Sequence, residues 1–182
     1  MRAFIGSSNE QYPVVKEIKR ELKDFSINHK LELVDWKKWF GKCSFVNSYN
    51  WDIIESALQS FDFAIMLLAP DDKIECRNEN LYSTRDNVLI ETGAFVATLG
   101  IEKVFLLISN IESYKNPSDF LGLNCIRFDY SRGAENDSAY RKICDRIIQL
   151  SEANAEGFES QSHELLKNSN PIRITKGKGK IS

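Results

Sequence analysis

Two stretches of this chain, FAIMLLA at 63–69 and KVFLLI at 103–108, are apolar at odd and even positions alike. A strand with one wet face alternates apolar and polar residues, so a run without alternation must be covered on both sides. The stretch FAIMLLA has seven residues, far short of the ~20 needed to cross a bilayer. Both runs therefore read as central strands of a parallel sheet sandwiched between helical layers.

Three more short runs rich in β-branched and aromatic residues read as strands: Ala3 to Ile5, Leu31 to Val34 and Cys125 to Phe128. Between them lie helical patterns. Val15, Ile18 and Leu22 form one stripe within Tyr12 to Phe25; Ile54 and Leu58 mark Trp51 to Ser60; Asn87 to Leu99 follows; and Ile143, Ile147 and Leu150 share a face of Ala139 to Leu150. Five strands are interleaved with these four helical patterns. That order predicts an α/β domain over residues 1–152, with a five-stranded parallel sheet and helices on both faces.

Residues 153–182 differ in kind. From Lys167 onward there are five basic residues, no acidic ones and interleaved glycines, which predicts a flexible basic tail or a truncated linker. A chain of 182 residues with a 1–152 core fits one domain, large enough to bury roughly 70% of its unfolded surface. With 24 Lys and Arg against 26 Asp and Glu, it has no global pull toward nucleic acid or an anionic bilayer, and neither is expected as a partner. The N-terminus lacks a secretory signal, so a cytoplasmic location is expected. The four cysteines form no CxxC pair and only two histidines accompany them, so reduced thiols and no metal site are expected.

The most informative segment is RDNVLIETGAFVATLG. From Val88 to Leu99 nearly every side chain is apolar or small, which predicts burial around most of the helix. Glu91 is the sole charge within it. It lies three residues after Val88 and four before Phe95, so its carboxylate shares a face with core residues. Such a group is costly unless compensated. One explanation is structural, an ion pair with an Arg such as Arg85 or capping of backbone amides near the helix start; another is chemistry. Asp86 and Asn87 are good N-cap types, which places Glu91 about one turn inside the helix, near the mouth of a cleft. In an open parallel sheet of order 2-1-3-4-5, that cleft opens beyond the carboxyl ends of strands one and three. There the first strand ends in Gly6, Ser7 and Ser8, and the third in Pro70, Asp71 and Asp72.

These residues resemble a known family. FIGSS, SFDFAIMLLAPDD, TRDNVLIETGAFVATLGIEKVFLL and PSDFLGL are similar to the TIR-like nucleotide-binding effector domains of bacterial antiphage systems of the CBASS and Pycsar type. The resemblance spans roughly residues 2–150. It implies a flavodoxin-like TIR fold, cleavage of NAD+ to nicotinamide and ADP-ribose or cyclic ADP-ribose, and activation by assembly. By position, the family's catalytic glutamate falls on Glu91 and its ligand-lining loops on Ser7 and Ser8, on Asp71 and Asp72, and on Arg85, Asp86 and Asn87. Thr92 stands where the family usually has Leu, and the segment KKWFGKCSF after Trp36 is longer and more aromatic than the usual loop.

The implied function is that of an NAD+ nucleosidase acting in antiviral defence by NAD+ depletion. NAD+ is then the substrate, with no further cofactor. The implied partners are further copies of the chain, through TIR–TIR contacts, and a cyclic-nucleotide sensor domain or protein. One carboxylate suffices for this chemistry, because nicotinamide leaves a cationic ring as a neutral molecule and needs no general acid. What must be supplied is negative charge beside the oxocarbenium-like ribose. The alternatives are a non-catalytic TIR adaptor or nucleotide sensor, and a nucleoside deoxyribosyltransferase-like enzyme.

Overall fold

The computed structural model describes residues 1–43, 50–120, 124–131 and 133–168. In chain order the elements are β1 (Arg2–Gly6), α1 (Tyr12–Glu21), α2 (Lys23–Asn28), β2 (Glu32–Asp35), α3 (Trp36–Cys43), α4 (Asn50–Leu58), β3 (Phe63–Leu68), β4 (Asp72–Cys76), β5 (Glu79–Ser83), α5 (Asp86–Leu99), β6 (Val104–Ser109), β7 (Cys125–Phe128) and α6 (Asp137–Asn168). Five strands form one parallel sheet in the order β2-β1-β3-β6-β7. With the inserted β4–β5 pair set aside, this is the expected 2-1-3-4-5 order, the flavodoxin-like arrangement of a TIR fold.

The two runs without alternation become β3 and β6, adjacent at the centre and buried at every residue. Phe4, Ala64, Met66, Leu68, Val104, Leu106 and Ile108 contribute one face of the sheet to a core shared with Val88 and Phe95 of α5. The ring of Phe95 stacks on that of Phe4 at 4.8 Å between centroids, which seats α5 over the β1–β3 boundary. Gly6 pairs with Met66 at the end of β1. A Cβ there would fall 2.5 Å from Met66 Cε, so the glycine leaves room for that side chain.

Several expectations are corrected. The helix expected over Tyr12 to Phe25 is two helices that meet at Leu22, a fully buried residue around which the backbone turns at φ −87°, ψ 7°. The segment expected to be a loop after Trp36 begins as α3, whose Trp39 is buried in the core and donates its indole N–H to Ile53 O at 3.2 Å. Residues 44–49 of that segment, and 121–123 of PSDFLGL, lie outside the described residues.

The antiparallel hairpin β4–β5 was not legible. Its two-residue turn uses Arg77 and Asn78, both at positive φ (54° and 65°), a type I′ geometry that usually announces itself through Asn-Gly or Asp-Gly. Burial of α5 is also narrower than expected: Val88, Thr92 and Phe95 are buried, whereas Ile90 is 59% exposed.

Residues 1–147 form one compact unit and residues 148–182 a second. Backbone of α6 stays helical to Asn168, past residue 152 where the tail was expected to start. The stretch contains good helix formers and no proline before Pro171. Residues 169–182 lie outside the described residues. Among the described residues no helix is long and apolar enough to cross a membrane.

Candidate functional site

Strand order reverses between β1 and β3, since the chain leaves β1 toward β2 and leaves β3 toward β6. Loops that follow these two strands diverge and leave a gap at the sheet's carboxyl edge. A cleft of about 360 Å³ fills that gap. The β1–α1 loop contributes Ser7, Ser8 and Asn9; α3 and α4 contribute Trp36, Phe40, Trp51 and Ile54; and Arg85, Asn87, Ile90 and Glu91 come from the start of α5.

Glu91 is half-buried in this lining, and among the described residues no cation or hydrogen-bond donor reaches its carboxylate. Burial alone pushes its pKa from 4.5 up to about 7. The expected alternative, a structural pair with Arg85, is not what forms. Arg85 instead turns its Nη2 to Glu10 Oε1 at 2.9 Å and its Nε to Asp72 Oδ1 at 3.4 Å. The one acid among these apolar walls is left to meet whatever enters the cleft.

Ser7 and Ser8 are buried at the floor of the β1–α1 loop. The Ser7 hydroxyl donates to Ser8 O at 2.8 Å and accepts from the Trp36 indole N–H at 3.1 Å, which fixes the angle of that aromatic wall. Ser8 Oγ is buried with no partner among the described residues. Trp36 also meets Phe40 edge-on at 6.0 Å, so two rings one helical turn apart present apolar surface to the cleft.

Four of the eight expected positions are placed differently or need qualification. Asp71 and Asp72 stand beside the cleft but outside its lining: Asp71 Oδ1 accepts from Gln11 Nε2 at 2.8 Å, and Asp72 holds Arg85. Asp86 is exposed and also outside the lining. It is the first residue of α5 rather than its N-cap, which is Arg85, and its carboxylate accepts from the N–H of Asn87 at 2.7 Å. There its charge favours the helix dipole and not a ligand. Arg85 lines the cleft with its cation already engaged. Thr92, the departure from the Leu usual in the resembled family, is fully buried, and its hydroxyl donates back to Val88 O at 2.7 Å, so the core polar group is satisfied within the helix.

Sequence reasoning missed the aromatic side of the site. Trp36, Phe40 and Trp51 come from α3 and α4; the signal available was the clustering of aromatics in WKKWF, noted there as a segment longer and more aromatic than the usual loop but not assigned to the site. Among the described residues no group of three His, Cys, Asp or Glu side chains is arranged to hold a metal ion.

A flavodoxin-like sheet with an aromatic cleft at its switch point, and a lone acid on the helix that follows the third parallel strand, defines a TIR-type α/β domain. The model of the CAP12/Pycsar effector protein TIR domain matches residues 2–130, and the chain belongs to that family. It is 32% identical over 150 residues to the Pycsar effector protein XpPycTIR of Xanthomonas perforans, covering 82% of this chain and 47% of that protein. It is 34% identical over 163 residues to the CD-NTase-associated protein 12 of Niabella drilacis, with 87% and 49% covered. The Pycsar effector protein PaPycTIR of Pseudomonas aeruginosa is 30% identical over 145 residues. The chain thus spans about half the length of the curated relatives it matches.

Proposed function

We propose that this chain is the TIR domain of an antiphage effector and that it hydrolyses NAD+ at the bond between nicotinamide and ribose, with Glu91 as the catalytic carboxylate. The observation that carries this reading is the uncompensated acid: a half-buried glutamate, with no ion pair among the described residues, in the wall of an aromatic cleft at the switch point. An adaptor surface has no need of such a group, and folding alone disfavours it.

The chemistry follows from charge. The glycosidic bond of NAD+ joins ribose to a pyridinium cation, so the bond electrons return to the ring and nicotinamide departs neutral. Positive charge then develops on the ribose ring carbon and oxygen. A carboxylate beside that centre is stabilising in proportion to how little water screens it, and the apolar walls of the cleft keep the local dielectric low. Water then adds to the anomeric carbon and loses a proton, giving ADP-ribose. With a pKa of about 7, Glu91 is partly protonated at neutral pH before substrate binds; the pyridinium of an arriving NAD+ favours the ionised form.

The test is nicotinamide release by the purified chain, followed over a range of protein concentrations, against Glu91→Gln. Release by wild type and its loss in a folded variant support the reading. NAD+ binding without turnover at every concentration would favour an adaptor or nucleotide sensor, and release of free base from deoxynucleosides but not of nicotinamide would favour deoxyribosyl transfer.

A further inference from the structure

Arg85 is the one cation in the cleft lining among the described residues. Its guanidinium is shared by two acids from different segments: Glu10 in the β1–α1 loop, just beyond Ser8 and Asn9, and Asp72 at the start of β4. Neither acid lines the cleft. One side chain thereby ties three segments together at the cleft mouth. All of these groups keep contact with water, with 39% of the Arg85 side chain and 46% of each acid exposed. Ion pairs that wet are weak, whereas a diphosphate offers the guanidinium a fork of charged oxygens that matches its geometry.

We propose that Glu10 is a positioning residue that restrains Arg85 at the cleft mouth, and that the diphosphate of a dinucleotide substrate takes the guanidinium from it on binding. This rests on the dinucleotide reading of the cleft and adds the group that recognises the charged middle of the substrate, together with the group that competes for it. The opposite role is a brace: the Glu10–Arg85 pair keeps the loop bearing Ser7, Ser8 and Asn9 in register with the helix bearing Glu91. The two roles differ in sign, because losing a competitor strengthens the binding of an anion and losing a brace weakens the binding of every ligand.

The experiment measures binding of ADP-ribose, and of nicotinamide riboside as a phosphate-free probe, by calorimetry on wild type, Glu10→Gln, Arg85→Gln and the double variant, with thermal melts confirming folding. Releasing a surface pair worth up to ~1 kcal/mol corresponds to about a three- to five-fold gain in affinity. Glu10→Gln is expected to tighten ADP-ribose by that factor and leave nicotinamide riboside unchanged. Arg85→Gln is expected to weaken ADP-ribose and to abolish the gain in the double variant. In turnover, the effect of Glu10→Gln falls on KM for NAD+ and not on kcat. Equal or weaker ADP-ribose binding by Glu10→Gln, or a gain that survives Arg85→Gln, overturns the proposal while leaving the dinucleotide reading intact. If wild type binds neither ADP-ribose nor NAD+, that reading fails and the proposal falls with it.

Discussion

Glu91 is a group whose proposed chemical use and folding cost come from the same surroundings. Burial raises its pKa from 4.5 to about 7, so between those values the folded chain holds a proton that the unfolded chain releases. Stability contributed by this site is therefore highest below about pH 4.5, falls as pH rises to about 7, and stays reduced above that. With a discount for the remaining solvent contact, the loss is on the order of 2 kcal/mol. Glu91→Gln removes the charge, so it should raise the melting temperature at pH 8 by roughly 4–8 °C and change it little at pH 4, as a thermal melt at both pH values would show. The same variant should lower nicotinamide release by at least ~100-fold. For wild type, kcat/KM should rise with pH through about 7 as the carboxylate ionises. A pH-independent kcat/KM between 5.5 and 8.5 would mean that another group sets the rate.

Among the elements, α5 and the β4–β5 hairpin show opposite relations between sequence and structure. Helix α5 is held by Phe95, fully buried and stacked on Phe4. Phe95→Ala should cost about 3–5 kcal/mol, measured by urea unfolding, through the cavity it leaves. Thr92→Val, whose lost hydroxyl bonds to Val88 O within the same helix, should stay within about 1 kcal/mol of wild type. The hairpin turn carries Asn78 at φ 65°, so Asn78→Gly should stabilise by a few tenths of a kcal/mol up to about 1 kcal/mol, visible as slower amide exchange across β4 and β5. These cases explain what was legible. Runs apolar on both faces, as in β3 and β6, have one fate in a small domain, and the isolated charge of Glu91 stands out against its helix. The hairpin was hidden because its strands bury no residue fully and its turn uses Arg-Asn. The aromatic wall was hidden because Trp36 and Phe40 gain their role only when α3 is brought against Ser7 by the end of β2. Asp71 and Asp72 followed the correct strand but turned to Gln11 and Arg85, an outcome set by partners distant in sequence.

At the scale of the molecule, the cleft is open on the side where Trp51 is 53% and Ile90 59% exposed, although both belong to its lining. A single copy leaves these large apolar groups in water and the Glu91 carboxylate only half-buried, so the low dielectric that the proposed reaction draws on is incomplete. A second copy packed over that rim would exclude water from both the aromatic groups and Glu91, and the chemistry would then depend on assembly. Nicotinamide release should accordingly rise more steeply than in proportion to protein concentration, with an apparent order between one and two in the low micromolar range. Joining two copies through a flexible linker should restore activity at concentrations where the single chain is inactive, because the linker sets a millimolar effective concentration. A strictly proportional rise, unchanged by tethering, would show that one copy excludes water well enough by itself and that the exposed rim of Trp51 and Ile90 serves another purpose.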